Sequence, residues 1–392
     1  MTENVMEHCD QIMATTYKRF PLLLTRGQGC NLWDNQGKKY TDFVAGIAVC
    51  NLGHAHPEIS RALCQQADVL WHVSNLFYTE PQVRLAGWLV KNSFADRVFF
   101  GNSGAEANEA AIKLARKFFK HKGEPEKFRI ISMERSFHGR TMATLSATGQ
   151  KKVREGYDPL LEGFDFVPFN DIDALKDKIG AQTCAVITEP IQGEGGVRTP
   201  SEKYLRILRQ VCDDNGILLI FDEIQTGMGR TGKLFAHQHF GIEPDIMTLA
   251  KALGNGLPIG AMLAVEKVAQ AFSPGSHAST FGGNPLVTAA ALEVVRILTK
   301  ENIIDQCKNM GNYFKDRLLW LKNRHETVED VRGIGLLLGM KVRGQGASIV
   351  DSCMEKGFLI NCVQENILRF IPPLIIGKKD IDALISCLDE IL

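Results

Sequence analysis

No charge of either sign dominates this 392-residue chain: Lys and Arg together number 45, and so do Asp and Glu. That balance excludes a protein held to nucleic acid by net charge. No apolar run reaches the ~18 residues a membrane helix needs, so no membrane partner is expected. The opening residues Met1-Thr2-Glu3-Asn4-Val5-Met6-Glu7-His8 are acidic where a signal peptide is basic. Ten cysteines are present but no Cys-x-x-Cys, which excludes a zinc ribbon or a dithiol redox motif. Cysteines inside apolar runs, as in Thr183-Cys184-Ala185-Val186, read as small buried hydrophobes of a reducing cytoplasm. With 45% hydrophobic and 23% charged residues, intrinsic disorder is excluded as well.

Two nucleotide signatures are also missing. Gly227-Met228-Gly229-Arg230-Thr231-Gly232-Lys233 matches the spacing of a P-loop, yet Leu234 stands where Ser or Thr must meet magnesium. Asp222 and Glu223, just upstream, put acid where phosphate would arrive. The glycines of Gly254–Gly260 have the wrong spacing for a dinucleotide fingerprint. His54 and His56 in Leu52-Gly53-His54-Ala55-His56-Pro57 have no third ligand near them, so no metal is expected. They read as packing and hydrogen-bonding residues at a domain junction.

What is present is alternation. Short apolar runs occur at Arg97–Phe100, Arg129–Ser132, Cys184–Thr188, Ile217–Phe221, Asp245–Thr248 and Ala261–Val265. Helical segments, among them Ala105–Lys120 and Glu202–Asn215, lie between them. Continuously apolar strands are covered on both faces, which predicts an α/β fold: a mainly parallel sheet flanked by helices. After Pro285 the pattern changes. Helices are expected over 285–300 and 302–324, strands at Gly335–Val342, Gly357–Val363 and Leu368–Phe370, and a last helix over 378–391. The expected division is an N-terminal segment, 1–60, packing with the small domain; a large domain, 61–284; and a small α+β domain, 285–392.

Three features carry chemistry. Gly101-Asn102-Ser103-Gly104-Ala105-Glu106-Ala107-Asn108 follows a strand and opens a helix, whose free N–H groups and dipole can hold a phosphate. Asp222 ends an apolar strand, where α/β sheets place ligand-binding groups and where a carboxylate needs a cationic partner. Lys251 follows the next apolar run and can act as a Schiff-base nucleophile. Singly these read as a Ser helix cap, a salt-bridged acid and a surface lysine. Together they are the phosphate anchor, ring-nitrogen partner and aldehyde carrier that a pyridoxal phosphate enzyme requires.

Over nearly its whole length the chain resembles the class III pyridoxal-phosphate-dependent aminotransferases of fold type I. The likeness lies in Asn102–Ala107, Phe137-His138-Gly139-Arg140, Glu189–Gly196, Phe221–Gln225, Ala250–Gly254, Ser279–Pro285 and Leu368-Arg369-Phe370. It implies pyridoxal 5′-phosphate as cofactor, with Lys251 linking to it and later moving the proton, and Asp222 pairing with its ring nitrogen. It implies Gln225 at the ring's phenolic oxygen, Phe137 and Ile224 on the two ring faces, and Ser103, Gly104 and Ala105 on the phosphate. Thr280 is implied to reach that phosphate from the partner subunit of a homodimer. Arg140 and Arg369 are implied to hold the substrate's two carboxylates, with Glu194 as a gate that masks Arg369, and Tyr78 to contact substrate. The implied reaction moves the δ-amino group between N2-acetylornithine and 2-oxoglutarate. Ornithine, succinylornithine, N-succinyldiaminopimelate and 4-aminobutyrate are the alternatives.

Overall fold

A computed structural model describes residues 5–392. The first four residues of the acidic N-terminal octet lie outside the described residues. Among the described residues fifteen strands form three sheets. The first three are β1 (Leu24–Gln28), β2 (Asn31–Asp34) and β3 (Lys39–Asp42). The next seven are β4 (Arg97–Gly101), β5 (Arg129–Met133), β6 (Phe164–Val167), β7 (Thr183–Thr188), β8 (Leu218–Asp222), β9 (Ile246–Leu249) and β10 (Gly260–Ala264). The last five are β11 (Val328–Ile334), β12 (Leu337–Val342), β13 (Phe358–Leu359), β14 (Asn361–Val363) and β15 (Ile367–Phe370).

The central sheet has the order β4-β10-β9-β8-β7-β5-β6. Strands β6, β5, β7, β8 and β9 pair in parallel, and β10 pairs antiparallel with both β9 and β4. Only β10 therefore runs against the rest. Both faces are covered. On β8, Leu218 and Ile220 pack with Ala111, Leu114 and Phe118 of the helix Gly104–His121. The alternate residues Leu219 and Phe221 pack with Leu205, Leu208 and Val211 of the helix Tyr204–Asp214. A side chain of this size buried in this way contributes about 1.5–3 kcal/mol, so a polar residue on either face would be costly.

The apolar runs named above all form strands of this sheet, within a residue at either end. Strand β6 escaped the sequence reading because it is an edge strand. Asp165 interrupts its apolar residues and pairs with Arg129 at 2.8 Å. Strand β11 and the helix Ala347–Glu355 were also missed; β11 is an edge strand with charged residues on its half-exposed positions. The expected single strand Gly357–Val363 is two. Strand β13 pairs in parallel with β3, whereas β14 joins β15 in the sheet β11-β12-β15-β14. The N-terminal sheet thus takes its fourth strand from the C-terminal part of the chain.

The segment with P-loop spacing is a structural loop. Arg230 within it is fully buried and donates to the carbonyls of Leu336 and Pro372, at 2.9 and 2.6 Å, and to Asn51 Oδ1. Burial pushes its guanidinium down to about 10. One side chain so joins three segments far apart in sequence. His54 pairs with Asp42 at 2.7 Å, and this bond raises the imidazole to about 9. Cys184 is buried as expected, but Cys64 is exposed; it lies on an amphipathic helix whose only fully buried residue is Ile59. No helix among the described residues is long and apolar enough to cross a membrane.

Candidate active site

Five strands of the central sheet end at one edge, and the segments that follow them line one cavity of about 470 Å³. Strand β4 leads to Ser103, Gly104 and Ala105; β5 to Phe137 and Arg140; β7 to Glu189 and Glu194; β8 to Asp222, Ile224 and Gln225; β9 to Lys251. The carboxyl edge of a parallel sheet collects ligand groups because every strand there gives way to a loop.

At the helix start, Ser103 Oγ accepts the N–H of Glu106 at 3.2 Å, as an N-cap does. Among the described residues the N–H groups of Gly104 and Ala105 have no protein acceptor. A Cβ on Gly104 would lie 2.7 Å from Ile224 Cδ1, so Ile224 would have to move to admit one. Gly260 on the neighbouring β10 is held more strictly, since its Cβ would lie 2.2 Å from the backbone carbonyl oxygen of Ser103. These close approaches leave an open cradle of N–H groups with Ile224 beside it.

Asp222 is buried, and its Oδ2 lies 2.7 Å from His138 Nδ1 and accepts Asn108 Nδ2 at 2.8 Å. A carboxylate only accepts, so the imidazole proton in that bond sits on Nδ1. Asn108 also donates to the His138 carbonyl and accepts Thr248 Oγ1, at 2.8 and 2.7 Å. The opposite imidazole nitrogen, His138 Nε2, is buried with no partner among the described residues.

Lys251 has φ of +45°, a left-handed backbone unusual for a residue with a side chain. Burial lowers its amine below the usual range, while Glu194 and Asp222 oppose the shift. Arg369 is buried on β15 and donates to Glu194 Oε1, to Gln225 Oε1 at 3.2 Å and to Asn361 Oδ1 at 3.3 Å. Burial alone would raise the Glu194 carboxyl; Arg369, with Lys251 and Gln225 adding to it, outweighs that and holds the group below the ordinary range. Arg140 is exposed at the cavity, with its guanidinium 5.7 Å from the Phe137 ring centre. Glu189 is a second buried carboxyl, its two oxygens accepting the N–H groups of Gly193 and Phe137 at 3.1 and 3.2 Å. Loss of water outweighs those bonds and pushes it from 4.5 up to about 7.

The structure brings together eleven of the thirteen residues singled out by sequence. Ser103, Gly104, Ala105, Phe137, Arg140, Glu194, Asp222, Ile224, Gln225 and Lys251 line the cavity, and Arg369 touches it through Glu194 and Gln225. Tyr78 and Thr280 stay apart. Tyr78 is 98% exposed, beside a groove on the outer face, and Thr280 is exposed next to Phe281. Sequence reading missed His138, Asn108, Glu189 and Asn361 as site residues. The first three stood inside the stretches it marked, but their roles come from contacts across the sheet. Asn361 had no signal at all.

With this geometry in place, the chain belongs to the class-III aminotransferases, whose family model matches residues 12–392. Acetylornithine aminotransferase of Caldanaerobacter subterraneus subsp. tengcongensis is 50% identical over 378 residues, 96% of each chain. That of Methanocaldococcus jannaschii is 51% identical over 375 residues, 96% of this chain and 94% of its own. Among solved structures, ornithine aminotransferase of Toxoplasma gondii ME49 superposes with a TM-score of 0.95 at 33% identity, covering 98% of this chain and 93% of its own. N-acetylornithine aminotransferase of Stenotrophomonas maltophilia K279a gives 0.85 at 40% identity, with 98% and 97% covered.

The chain is an aminotransferase that uses pyridoxal 5′-phosphate. The residues present fit that cofactor. The cradle at Gly104 and Ala105 offers free N–H groups to a phosphate, Asp222 offers a buried acceptor to a protonated ring nitrogen, and Lys251 offers an amine.

Glu189 gives a pH prediction for the cofactor-free protein. The folded state binds this proton more tightly than the unfolded chain does. Stability therefore falls as pH rises from 4.5 to about 7, at up to about 1.4 kcal/mol per pH unit. Glu189→Gln removes this component. The difference in unfolding midpoint between wild type and variant should shift in the variant's favour between pH 5 and pH 8; an unchanged difference would refute the raised carboxyl.

Proposed function

We propose that this chain moves the δ-amino group of N2-acetylornithine onto 2-oxoglutarate, and the reverse, within arginine biosynthesis. The products are N-acetylglutamate semialdehyde and glutamate. The observation that carries the reading is the Glu194–Arg369 pair beside Lys251, with Arg140 left open. N2-acetylornithine has one carboxylate, far from its reactive amine, and Arg140 suffices to hold it. Its acetyl group removes the charge of the α-amine, so only the δ-amine remains to react. For this substrate Arg369 is idle, and Glu194 masks it. 2-Oxoglutarate has two carboxylates and needs both guanidinium groups, so Glu194 must swing away. The relatives named acetylornithine aminotransferases, near 50% identity over almost the full chain, support the choice of substrate over ornithine.

When bound, the cofactor supplies an aldehyde for the amine and a cationic ring that takes up the electrons left when a C–H proton departs. The chain's own residues do the rest. Lys251, with a lowered amine, is the base that moves this proton and the nucleophile that reclaims the cofactor. Asp222, oriented by His138 and Asn108, would hold the ring nitrogen of the bound cofactor. Phe137 and Ile224, which line the cavity, would confine the ring and exclude water. A panel of ω-amines with 2-oxoglutarate, compared by kcat/KM, tests the assignment. N2-acetylornithine should lead and Lys251→Ala should lose turnover at least about a thousandfold. A higher kcat/KM for ornithine or 4-aminobutyrate would overturn the substrate.

The gate has its own test. Glu194→Ala exposes Arg369, and glutamate should gain relative to N2-acetylornithine in the first half-reaction, measured in single turnovers. An unmoved ratio would leave Glu194 a structural acid.

The working form we propose is a cytoplasmic homodimer of three-part subunits divided as in the sequence reading. Trp71, Leu76, Phe77, Tyr78 and Phe281 are all exposed, an apolar surface that a second copy would cover. Asn75 joins the Tyr78 and Thr280 segments by donating to the carbonyls of Ser279 and Gly282, at 3.2 and 3.0 Å. Thr280 and Tyr78 would then serve the partner's cavity. All ten cysteines are free, as suits a reducing compartment. Mixing inactive Lys251→Ala with impaired Thr280→Ala at limiting cofactor should restore about a quarter of the sites if Thr280 acts across the dimer. If Thr280 acts within its own chain, mixing restores nothing.

A further inference from the structure

Behind the loop that carries Glu194 lies a second cleft of about 810 Å³, separate from the active-site cavity. Six cationic side chains line it: Arg135, Lys151, Lys152, Arg198, Arg332 and Lys341. Glu365 is the one acid among its lining residues. In a chain whose charges balance overall, this is a strong local excess. Arg332 pairs with Asp330 at 3.1 Å, and Lys341 with Glu329 at 2.6 Å. Among the described residues the side chains of Arg135, Lys151, Lys152 and Arg198 have no ion-pair or hydrogen-bond partner. Burial, with Arg135 and Arg332 nearby, depresses the guanidinium of Arg198. Four like charges without ion-pair partners of their own, beside two that are paired, are a cost in the free protein that an anion would relieve.

The walls come from two parts of the chain. Arg135, Lys151, Lys152 and Arg198 belong to connections of the central sheet; Arg332, Lys341 and Glu365 belong to the C-terminal sheet and its turns. The contacts at the back of the cleft hold the Glu194 loop. Arg332 Nε and Nη2 donate to the Gly196 carbonyl at 2.9 and 2.6 Å. Gln364 Nε2 donates to the Glu194 carbonyl at 3.0 Å.

We propose that this cleft is a second ligand site, for a small anion carrying two or more charged oxyanion groups, and that its occupant clamps the loop bearing Glu194. The volume is that of a small-ligand pocket, about 300–1,000 Å³, and the lining is too cationic for an apolar ligand. A dianion between Arg198 on one wall and Arg332 and Lys341 on the other draws the two parts together. It thereby holds the bonds to Gly196 and Glu194 and keeps Glu194 on Arg369. The clamp's effect on substrate choice rests on the gating role proposed above; the binding does not.

The test is calorimetry on the holoenzyme with inorganic pyrophosphate and with citrate, at constant ionic strength set by chloride. Saturable binding of one anion per chain is expected, and the stronger probe tells phosphate chemistry from carboxylate chemistry. Arg198→Gln with Lys341→Gln should raise the Kd about tenfold, the scale of one lost charge-assisted hydrogen bond. Lys151→Gln with Lys152→Gln, both on the exposed wall, should also weaken binding and do so without disturbing the fold. Arg140→Gln, in the active-site cavity, should leave the isotherm unchanged. The site is overturned if neither probe binds above chloride, or if binding is lost with Arg140→Gln and kept in the cleft variants. In single turnovers the bound probe should lower the rate with glutamate relative to N2-acetylornithine in wild type. Binding without that change overturns the clamp. If Glu194→Ala also fails to shift the ratio, it is the gating role that has failed, and the binding result still stands.

Discussion

The structure depends on how charge is kept where water is not. At the carboxyl edge of the central sheet, Asp222, Glu189 and Arg369 come out of solvent, and Lys251 is half-buried, within one small cavity and its wall. A buried charge without partners costs several kcal/mol, so each of these groups dictates its neighbours. Asp222 requires His138 and Asn108; Arg369 requires Glu194, Gln225 and Asn361; Glu189 requires two backbone N–H groups. Much of the surrounding architecture, including the meeting of the central and C-terminal sheets, serves to supply those partners.

The same constraint supports the gating role proposed for the ion pair between Glu194 and Arg369. Arg369 is held rigidly on β15, with β12 and β14 on either side of it. Glu194 sits on a loop and keeps about a quarter of its side chain exposed. In the proposed gate the strand residue would be the binding group and the loop residue the mask. An exposed pair of this kind would be worth little and would discriminate nothing. Here the guanidinium is buried and needs a charged partner besides Gln225 and Asn361; in the proposed gate that partner is Glu194 or a substrate carboxylate, and the choice between them would be a choice between substrates.

Much of the fold was legible in the residues. The runs from Arg97 to Val265 become strands because a strand covered on both faces must be apolar at nearly every position. The helix Gly104–His121 announced itself by Ser103 at its cap and by apolar residues at helical spacing. What escaped was at the edges. Strand β6 carries Asp165, and β11 alternates with charge, because an edge strand meets water on one side. The break at Ile360 escaped too, since nothing local tells Phe358-Leu359 to pair with β3 while Asn361–Val363 pairs with β15.

Arg140, Arg369 and Glu194 could be named only from the family resemblance, but the sequence by itself determined a helix start able to hold phosphate and Asp222 and Lys251 at successive strand ends. These follow from local rules of capping, burial and strand ends, which act over a few residues. The tertiary structure decided who stands next to whom. It placed His138 against Asp222 across 84 positions and Asn108 across 114, and brought Arg369 to Glu194 across 175. It left Tyr78 and Thr280 on the outer surface, away from the cavity their own chain forms. Distances of that kind depend on sheet order and on loop paths, and those are settled only when the whole core packs.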